Sequence, residues 1–383
     1  MKPKILYVTP GIFDKGGISR YNRYQIAALR DLFGNESLRV YSLVGPGADT
    51  FEEDIHTHWH GGENNVWSRI RMVLVTLAAS IFWRPDYIVV THVNFSGLYW
   101  LYAKLAGAIS ILDVYGQEVW AKLSSHAIYG FRHVDHVISD CHATADYIVK
   151  EGIRPPNDVV VIWDCVDLKQ FVPKPEQNSY IRNKYNLPDR ENHFIIMTLG
   201  RLMINASYKG YQRLLAVFSE IVKKYPEAVL VFAGRGDLVP VLQKEADEFG
   251  VSSNVFFTGM IPEDDMAGLY SYGHLFSLVS HCDKDSGEGI PLTPLEAMAC
   301  RVPILVGNQD GSREAVIDNR NGKVVDPFAL DTHREFIEDL ITDKDKRERM
   351  AEEALKVAHE YFSYPDFREK HRVFFNGIIK RDE

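Results

Sequence analysis

Cysteine is scarce in this chain of 383 residues, and the spacing of the cysteines excludes several kinds of site. There are four, Cys141, Cys165, Cys282 and Cys300, and no two of them form a C-x-x-C pair. A zinc knuckle or a dithiol redox motif would need such a pair. Isolated cysteines are typical of thiols that stay reduced, so we expect a cytoplasmic protein.

An excess of positive charge is lacking as well. The net charge is −9, and neither half of the chain is basic. Proteins that bind nucleic acid electrostatically carry basic surfaces, so we expect no nucleic-acid partner.

Long apolar runs are also missing. The longest, Met72 to Trp83, is shorter than the ~20 residues that span a bilayer, and Ile5 to Val8 is too short for the core of a signal peptide. The wider segment Val66–Trp83 mixes arginines with tryptophan and phenylalanine. This mixture is typical of either a packed crossover helix or a helix at a lipid surface. Peripheral contact with the inner face of the cell membrane therefore stays open as an alternative.

Short apolar runs alternate with amphipathic stretches through most of the chain, which predicts strands followed by helices. Such an alternation is typical of parallel sheets covered by helices on both faces, and there are too many repeats for one sheet. The predicted strands are KILYVTP, YIVVTHV, DHVIS, FIIMTLG, VLVFAG, NVFFTG, HLFSLVS and VPILVG.

A polar, proline-containing segment from about Asp167 to Asn192 divides this pattern into two α/β halves, residues 1–168 and 190–361. We interpret the segment as a linker. Ligands of doubly wound sheets bind beyond the carboxyl ends of the strands, so we expect the site in a cleft between the halves.

The loop after HLFSLVS carries two glutamates, Glu288 and Glu296, with seven residues between them. The prolines around Leu292 predict a helix that begins there. Backbone N–H groups of Leu292 and Thr293 would then face an anion such as a pyrophosphate, while the carboxylates accept hydrogen bonds from sugar hydroxyls. The alternative is a solvated loop glutamate followed by an ordinary helical one.

Two further glycine-containing turns follow predicted strands. In LGRLMINASYKG, Arg201 and Lys209 suit a diphosphate, although taken alone they are more typical of ordinary surface cations. In TPGIFDKGGISRY, Gly16 and Gly17 do not fit the dinucleotide fingerprint. They either let backbone amides approach a ligand or form a plain flexible turn.

The order of these blocks, GGISR, GRL…YKG, AGRGD, FTG and EGIPLTPLEAMA, followed by Glu314, resembles the family 4 retaining glycosyltransferases, group 1, of GT-B fold. The resemblance covers nearly the whole chain and implies two Rossmann-like domains that face each other across a cleft. It implies an acceptor-binding domain at 1–168, a donor-binding domain at 190–361, and a last helix at 364–383 that packs back on the first domain.

The resemblance also implies residue roles. Arg201 and Lys209 would hold the donor diphosphate, Glu288 the donor sugar, and Glu296 the nucleotide ribose. The backbone of Leu292 and Thr293 would bind the distal phosphate. The remaining implied positions are Met260 against the base, and Gly16 and Gly17 below the phosphates.

One departure concerns the first half. Relatives often have His-Gly where this chain has Tyr115-Gly116, so no histidine is supplied at that position. We take His92 and Tyr115 as alternative acceptor-side or active-site residues, against the interpretation that both are buried structural side chains.

Taken together, the resemblance implies a hexosyltransferase that moves a sugar from a nucleotide-diphosphate sugar, of UDP or GDP type, to a glycan or lipid-linked acceptor. A role in bacterial surface polysaccharide synthesis, with no cofactor and no metal ion, is expected. Two alternatives stay open: a nucleotide-sugar epimerase of similar fold, and a non-catalytic protein that binds a sugar or a nucleotide.

Overall fold

The computed structural model describes residues 2–14, 16–47, 55–283 and 286–379. It divides the chain into two compact units, Met1–Cys165 with Tyr364–Glu383, and Val166–Ser363. Each unit contains one parallel sheet with helical connections, which confirms the predicted α/β architecture.

The first unit is built on a seven-stranded sheet of order β3-β2-β1-β4-β5-β6-β7. Its strands are β1 (Ile5–Thr9), β2 (Leu38–Ser42), β3 (Trp59–His60), β4 (Tyr87–Val90), β5 (Ile109–Val114), β6 (His136–Ser139) and β7 (Val159–Val161). Its helices up to this point are α1 (Gly17–Phe33), α2 (Val66–Ala78), α3 (Ser96–Ala106), α4 (Gln117–Trp120), α5 (Ser125–His133) and α6 (His142–Lys150).

The central strands of this sheet are buried on both faces. Ile5 and Tyr7 of β1 belong to one hydrophobic core, and Leu6 and Val8 belong to the other. Successive side chains of a strand point to opposite faces, so a continuous apolar run is what two covered faces require.

The second unit contains a six-stranded sheet of order β10-β9-β8-β11-β12-β13. Its strands are β8 (Phe194–Leu199), β9 (Ala228–Ala233), β10 (Val255–Gly259), β11 (Leu275–Leu278), β12 (Ile304–Gly307) and β13 (Gly322–Val325). Its helices are α7 (Asn178–Tyr185), α8 (Tyr211–Lys224), α9 (Val239–Glu248), α10 (Glu263–Tyr272), α11 (Leu292–Ala299), α12 (Leu330–Thr342) and α13 (Lys344–Tyr361).

The polar segment that the sequence marks as a linker is partly helical and belongs to the second unit. It contains α7, which packs on α10 and buries Ile181. Asp265 of α10 also accepts hydrogen bonds from Tyr180 and Tyr185 and pairs with Lys184, so polar contacts help to dock this polar helix.

The last helix, α14 (Tyr364–Ile379), belongs to the first unit and packs on α1. The ring of Phe375 lies 5.5 Å from that of Phe33, and the ring of Phe367 lies 5.2 Å from that of Tyr21. Residues 380–383 of the expected helix lie outside the described residues.

Helix α2 continues through a π-helical turn, Ala79–Trp83. Together they form an 18-residue helix, Val66–Trp83, which by length and composition alone could cross a membrane. The sequence expectation that no segment is long enough was therefore wrong. In this fold Met72 and Thr76 of the helix are buried, and the Thr76 hydroxyl lies 3.1 Å from that of Tyr99 on α3.

Candidate active site

The carboxyl ends of β8 and β11 bring two of the predicted loops together in the second unit. The two strands are parallel neighbours, so the residues that follow them lie at one edge of the sheet. The His281 backbone N–H donates to the Tyr208 carbonyl at 2.9 Å, and the Arg213 guanidinium donates to the Val279 carbonyl at 3.1 Å. These bonds join the loop after β11 to the turn that carries Lys209.

Gly210 makes this close approach of the two loops possible. Its φ is +81°, and a β-carbon there would lie 2.4 Å from the Val279 carbonyl oxygen. Only glycine meets both conditions without strain. The glycine therefore sets the position of Lys209, which precedes it.

Lys209 and Glu288 form an ion pair at the centre of this edge. Their Nζ and Oε1 atoms are 2.5 Å apart, and the side chains are 14% and 16% exposed. Burial alone would lower the pKa of Lys209, but the charge of Glu288, its hydrogen bond and the nearby tyrosines together outweigh burial, so the pKa is raised. The ammonium group therefore keeps its charge at neutral pH.

Asp310, which the sequence analysis missed, holds the backbone of Glu288. Its carboxylate accepts the Glu288 N–H at 3.0 Å and the Ser312 N–H at 3.1 Å, while the Gly311 N–H donates to the Glu288 carbonyl at 2.9 Å. Burial raises the pKa of Asp310. Asp310 follows β12, so the rule that ligands bind beyond strand ends could have found it.

Helix α11 begins at Leu292, as predicted, and Thr293 is its second residue. The cap residue, Pro291, makes no side-chain capping bond. First-turn amides lack partners within their own helix and attract anions. Glu296 lies one turn further in, is 2% exposed, and accepts a 2.7 Å hydrogen bond from the Tyr270 hydroxyl.

Arg201 and Met260 lie at the same edge of the sheet, after β8 and β10, and both are exposed. Arg201 lies near enough to Tyr211 for the charge of the arginine to lower the pKa of the tyrosine. Burial raises the pKa of Tyr211 to about 12, against the opposing charges of Lys209 and Arg201. Gly234, after the strand between them, packs so tightly that a β-carbon would lie 1.9 Å from the Gly200 carbonyl oxygen.

The structure thus brings Arg201, Lys209, Glu288 and the start of α11 to the carboxyl edge of one sheet. Among the residues that the structure describes, no group of three or more His, Cys, Asp or Glu side chains is placed to hold a metal ion.

The candidate residues of the first unit follow its own strands. Gly16 caps α1, whose first residue is Gly17. A β-carbon at Gly16 would meet nothing within 4 Å, so this position faces open space. His92 follows β4, and its Nδ1 accepts the Asn94 N–H at 3.2 Å. Burial lowers the pKa of His92, so the ring is neutral at neutral pH.

Tyr115 is a core residue, which agrees with the alternative interpretation. It is 7% exposed, its hydroxyl donates to Asn22 Oδ1 at 2.6 Å, and its ring packs 5.0 Å from that of Tyr21. Its side chain points beneath α1 because that helix offers a buried hydrogen-bond acceptor. The same amide oxygen accepts a 3.1 Å bond from the Tyr7 hydroxyl.

The comparisons with known proteins agree with this geometry. Residues 180–357 match the family model described as Glycosyl transferases group 1. The chain is similar to the GDP-mannose-dependent alpha-(1-6)-phosphatidylinositol monomannoside mannosyltransferase of Mycolicibacterium smegmatis, with 30% identity over 181 residues, 46% of each chain. The Mycobacterium tuberculosis (strain H37Rv) protein of the same name is 30% identical over 251 residues, 64% of this chain and 63% of the relative. The matches thus span about half to just under two thirds of these relatives.

Solved structures show the fold. The structure titled Anabaena Alr3699/HepE in complex with UDP matches with a TM-score of 0.80 and 18% identity, over 98% of this chain and 100% of that one. A sucrose-phosphate synthase from Thermosynechococcus elongatus matches with a TM-score of 0.78 and 16% identity, over 99% and 100%. The two parallel-sheet units therefore have the GT-B type of fold.

Proposed function

We propose that this chain, a family 4 type glycosyltransferase with a Glycosyl transferases group 1 domain at residues 180–357, transfers a sugar from a nucleotide-diphosphate sugar to an acceptor hydroxyl. The observation that carries the proposal is the pairing of Lys209 with Glu288 at 2.5 Å, at the same sheet edge as Arg201 and the start of α11. Cations and first-turn amides at one place suit a diphosphate.

The chemistry of glycosyl transfer explains why such a site is needed. The bond between the anomeric carbon and the diphosphate oxygen breaks through an oxocarbenium-like state, and negative charge grows on the departing diphosphate. In the proposal Arg201 and Lys209 neutralise that charge from fixed positions, which is the most effective form of electrostatic catalysis. The acceptor oxygen bonds to the anomeric carbon, and its proton passes to a phosphate oxygen of the leaving group.

The remaining residues of the second unit are assigned to donor binding. Glu288 would accept hydrogen bonds from the sugar hydroxyls, and Glu296, oriented by Tyr270, would accept them from the ribose. The Leu292 and Thr293 amides would bind the distal phosphate. Met260, which is 53% exposed, would lie against the base.

For the first unit we propose acceptor binding. Gly16, which precedes Gly17 at the start of α1, leaves open space for an acceptor or a phosphate. The neutral His92 accepts the Asn94 N–H through Nδ1, so its Nε2–H would donate a hydrogen bond to an acceptor hydroxyl. Tyr115 has no direct role in this proposal because its hydroxyl is buried against Asn22.

The proposal also covers the class of donor, the class of acceptor and the cellular role of the enzyme. Relatives named for GDP-mannose and phosphatidylinositol mannosides support a nucleotide sugar of UDP or GDP type and a glycan or lipid-linked acceptor. We further propose retention of anomeric configuration, independence of metal ions, and a cytoplasmic enzyme of bacterial surface polysaccharide synthesis.

A thermal-shift screen against UDP, GDP, ADP and dTDP tests the proposal first. A ligand that binds only the native state raises the melting temperature, and we expect one diphosphate to raise it by several degrees. The donor of that nucleotide should then be hydrolysed slowly without acceptor, and its sugar should leave without epimerisation. No shift with any diphosphate would contradict the proposal, an epimer would indicate an isomerase, and binding without turnover would indicate a binding protein.

A further inference from the structure

The helix Val66–Trp83 of the first unit presents an apolar stripe to solvent. The stripe consists of Trp67, Ile70, Leu74, Ile81 and Phe82, of which Phe82 is 87%, Trp67 72% and Leu74 59% exposed. The first four follow at intervals of three, four and seven residues, which places them along one side of the helix, and Phe82 adjoins Ile81. Large exposed apolar side chains that lie together in this way are typical of a surface that another phase or molecule covers.

The stripe is not the result of a poorly packed helix. The opposite side buries Ser68, Met72, Thr76 and Ser80, and Asn65 caps the first turn by accepting the Ser68 N–H at 2.9 Å. One side of the helix is therefore fixed to the unit while the other stays exposed.

The apolar surface extends onto the neighbouring helix. Helix α3 packs against the π-helical turn, and the Tyr102 hydroxyl of α3 donates to the Val73 carbonyl at 3.1 Å. Leu101 and Leu105 of α3 are 47% and 63% exposed. Two adjacent helices of the first unit thus both expose large apolar side chains.

Within the helix and at Arg84, which follows it, the charges have one sign. Arg69 and Arg71 lie near its first end and Arg84 at its second, all exposed, and the sequence from Val66 to Pro85 contains no Asp or Glu. The Arg39 guanidinium lies 4.6 Å from the centre of the Trp83 ring. The stripe therefore has arginines near both ends, with Trp67 at its first end and Phe82 at its second.

We propose that the apolar stripe binds the surface of an anionic phospholipid bilayer, with the helix in the plane of the interface. Tryptophan at the headgroup level, apolar side chains in the acyl boundary and arginines near lipid phosphates are the arrangement of an interfacial helix. A second copy of the chain suits the stripe less well. Two antiparallel stripes would bring arginines together, and the segment has no carboxylate to pair with them.

The helix lies on the membrane and does not cross it. Spanning would place Met72, Thr76 and Ser80 in lipid and remove them from the interior of the first unit, where they are buried. A helix in the interface keeps these contacts, because only the outer side enters the headgroup region.

Vesicle sedimentation of the full chain tests the proposal and needs no sugar donor, so its outcome does not depend on the transferase proposal. Vesicles of phosphatidylcholine alone are compared with vesicles that contain a third phosphatidylglycerol. We expect binding to the second kind only. Leu74→Ser with Phe82→Ser should weaken it at least about tenfold, and Arg71→Gln with Arg84→Gln at least about tenfold as well.

Matched controls lie in the second unit. Phe249→Ser removes an apolar side chain that is 44% exposed, and Lys244→Gln removes a cation whose side chain is 79% exposed. Both should leave vesicle binding unchanged. The proposal is overturned if no vesicle binds, or if the controls weaken binding as much as the stripe variants do. A lipid-free dimer that Leu74→Ser with Phe82→Ser dissociates would also overturn it, because a second copy would then cover the stripe.

Discussion

Substitutions of Lys209 and of Glu288 should change the affinity for a nucleoside diphosphate in opposite directions. In the free protein the lysine is paired with the carboxylate at 2.5 Å, so a phosphate must share or displace that partner. Lys209→Met should weaken diphosphate binding by about thirtyfold, since a hydrogen bond to a charged group contributes about 2 kcal/mol. Glu288→Gln should strengthen it by about fivefold, because the competing negative charge, worth about 1 kcal/mol, is removed.

The two variants should nevertheless both reduce sugar transfer. Lys209→Met removes a cation that stabilises the leaving group, and losing one such group lowers turnover by about 10²–10³-fold. Glu288→Gln removes a carboxylate assigned to the sugar hydroxyls. If Glu288→Gln binds the diphosphate more tightly but transfers sugar more slowly, Glu288 acts on the sugar and not on the phosphates.

Titration calorimetry with the diphosphate that gives a thermal shift measures both affinities. Lys224→Met is the control, since it removes a lysine whose 3.0 Å ion pair with Glu338 lies on another part of the second unit. Unfolding by urea should show a loss of about 3–5 kcal/mol for Lys209→Met, because it leaves a mostly buried carboxylate unpaired. If both variants bind the diphosphate as tightly as the natural chain does, the pair is structural and the reasoning is refuted.

Three further substitutions make testable predictions, two of them beside that pair and one in the first unit. Gly210→Ala should lower the free energy of unfolding by at least about 1–3 kcal/mol in urea titrations, because φ is +81° and Val279 leaves no room for a β-carbon. Asp310→Asn should slow sugar transfer by about tenfold, with a smaller effect on diphosphate affinity by calorimetry, because one acceptor that holds the Glu288 loop is lost. Burial raises the pKa of Asp113 to about 8, above the ordinary value, so the folded state retains its proton and stability should fall as the pH rises from about 4 to about 8. Asp113→Asn should remove this pH dependence of the free energy of unfolding, at most about 5 kcal/mol, when urea unfolding is compared between pH 4 and pH 8.

Strands buried on both faces were predictable from sequence because their apolar runs are continuous. Each of the eight predicted runs overlaps a strand. Five strands within the described residues were missed, and they include β3 with two residues and β7 with three, which are too short to show a pattern. Within β5 the sequence ISILDV contains Asp113, whose 1% exposure depends on the helices that cover it.

Some residues of the candidate site were likewise predictable from local sequence, whereas others are placed only by the tertiary structure. Prolines around Leu292 fix where α11 begins, so the place of Glu296 one turn later follows from the sequence. Asp310 and Tyr270 are distant in sequence from the glutamates that they hold, and no spacing rule connects them.

Tyr115 shows why a residue at a strand end is not by itself a site residue. The end of β5 brings its backbone to the expected edge of the sheet, but the side chain direction is decided by what lies beneath α1. Asn22 offers a buried acceptor at 2.6 Å, and satisfying it there costs less than leaving a polar group unpaired in the core. Lys209 in the second unit differs from Tyr115. Its partner is a carboxylate at the edge of the sheet, where an incoming phosphate is able to compete for the lysine.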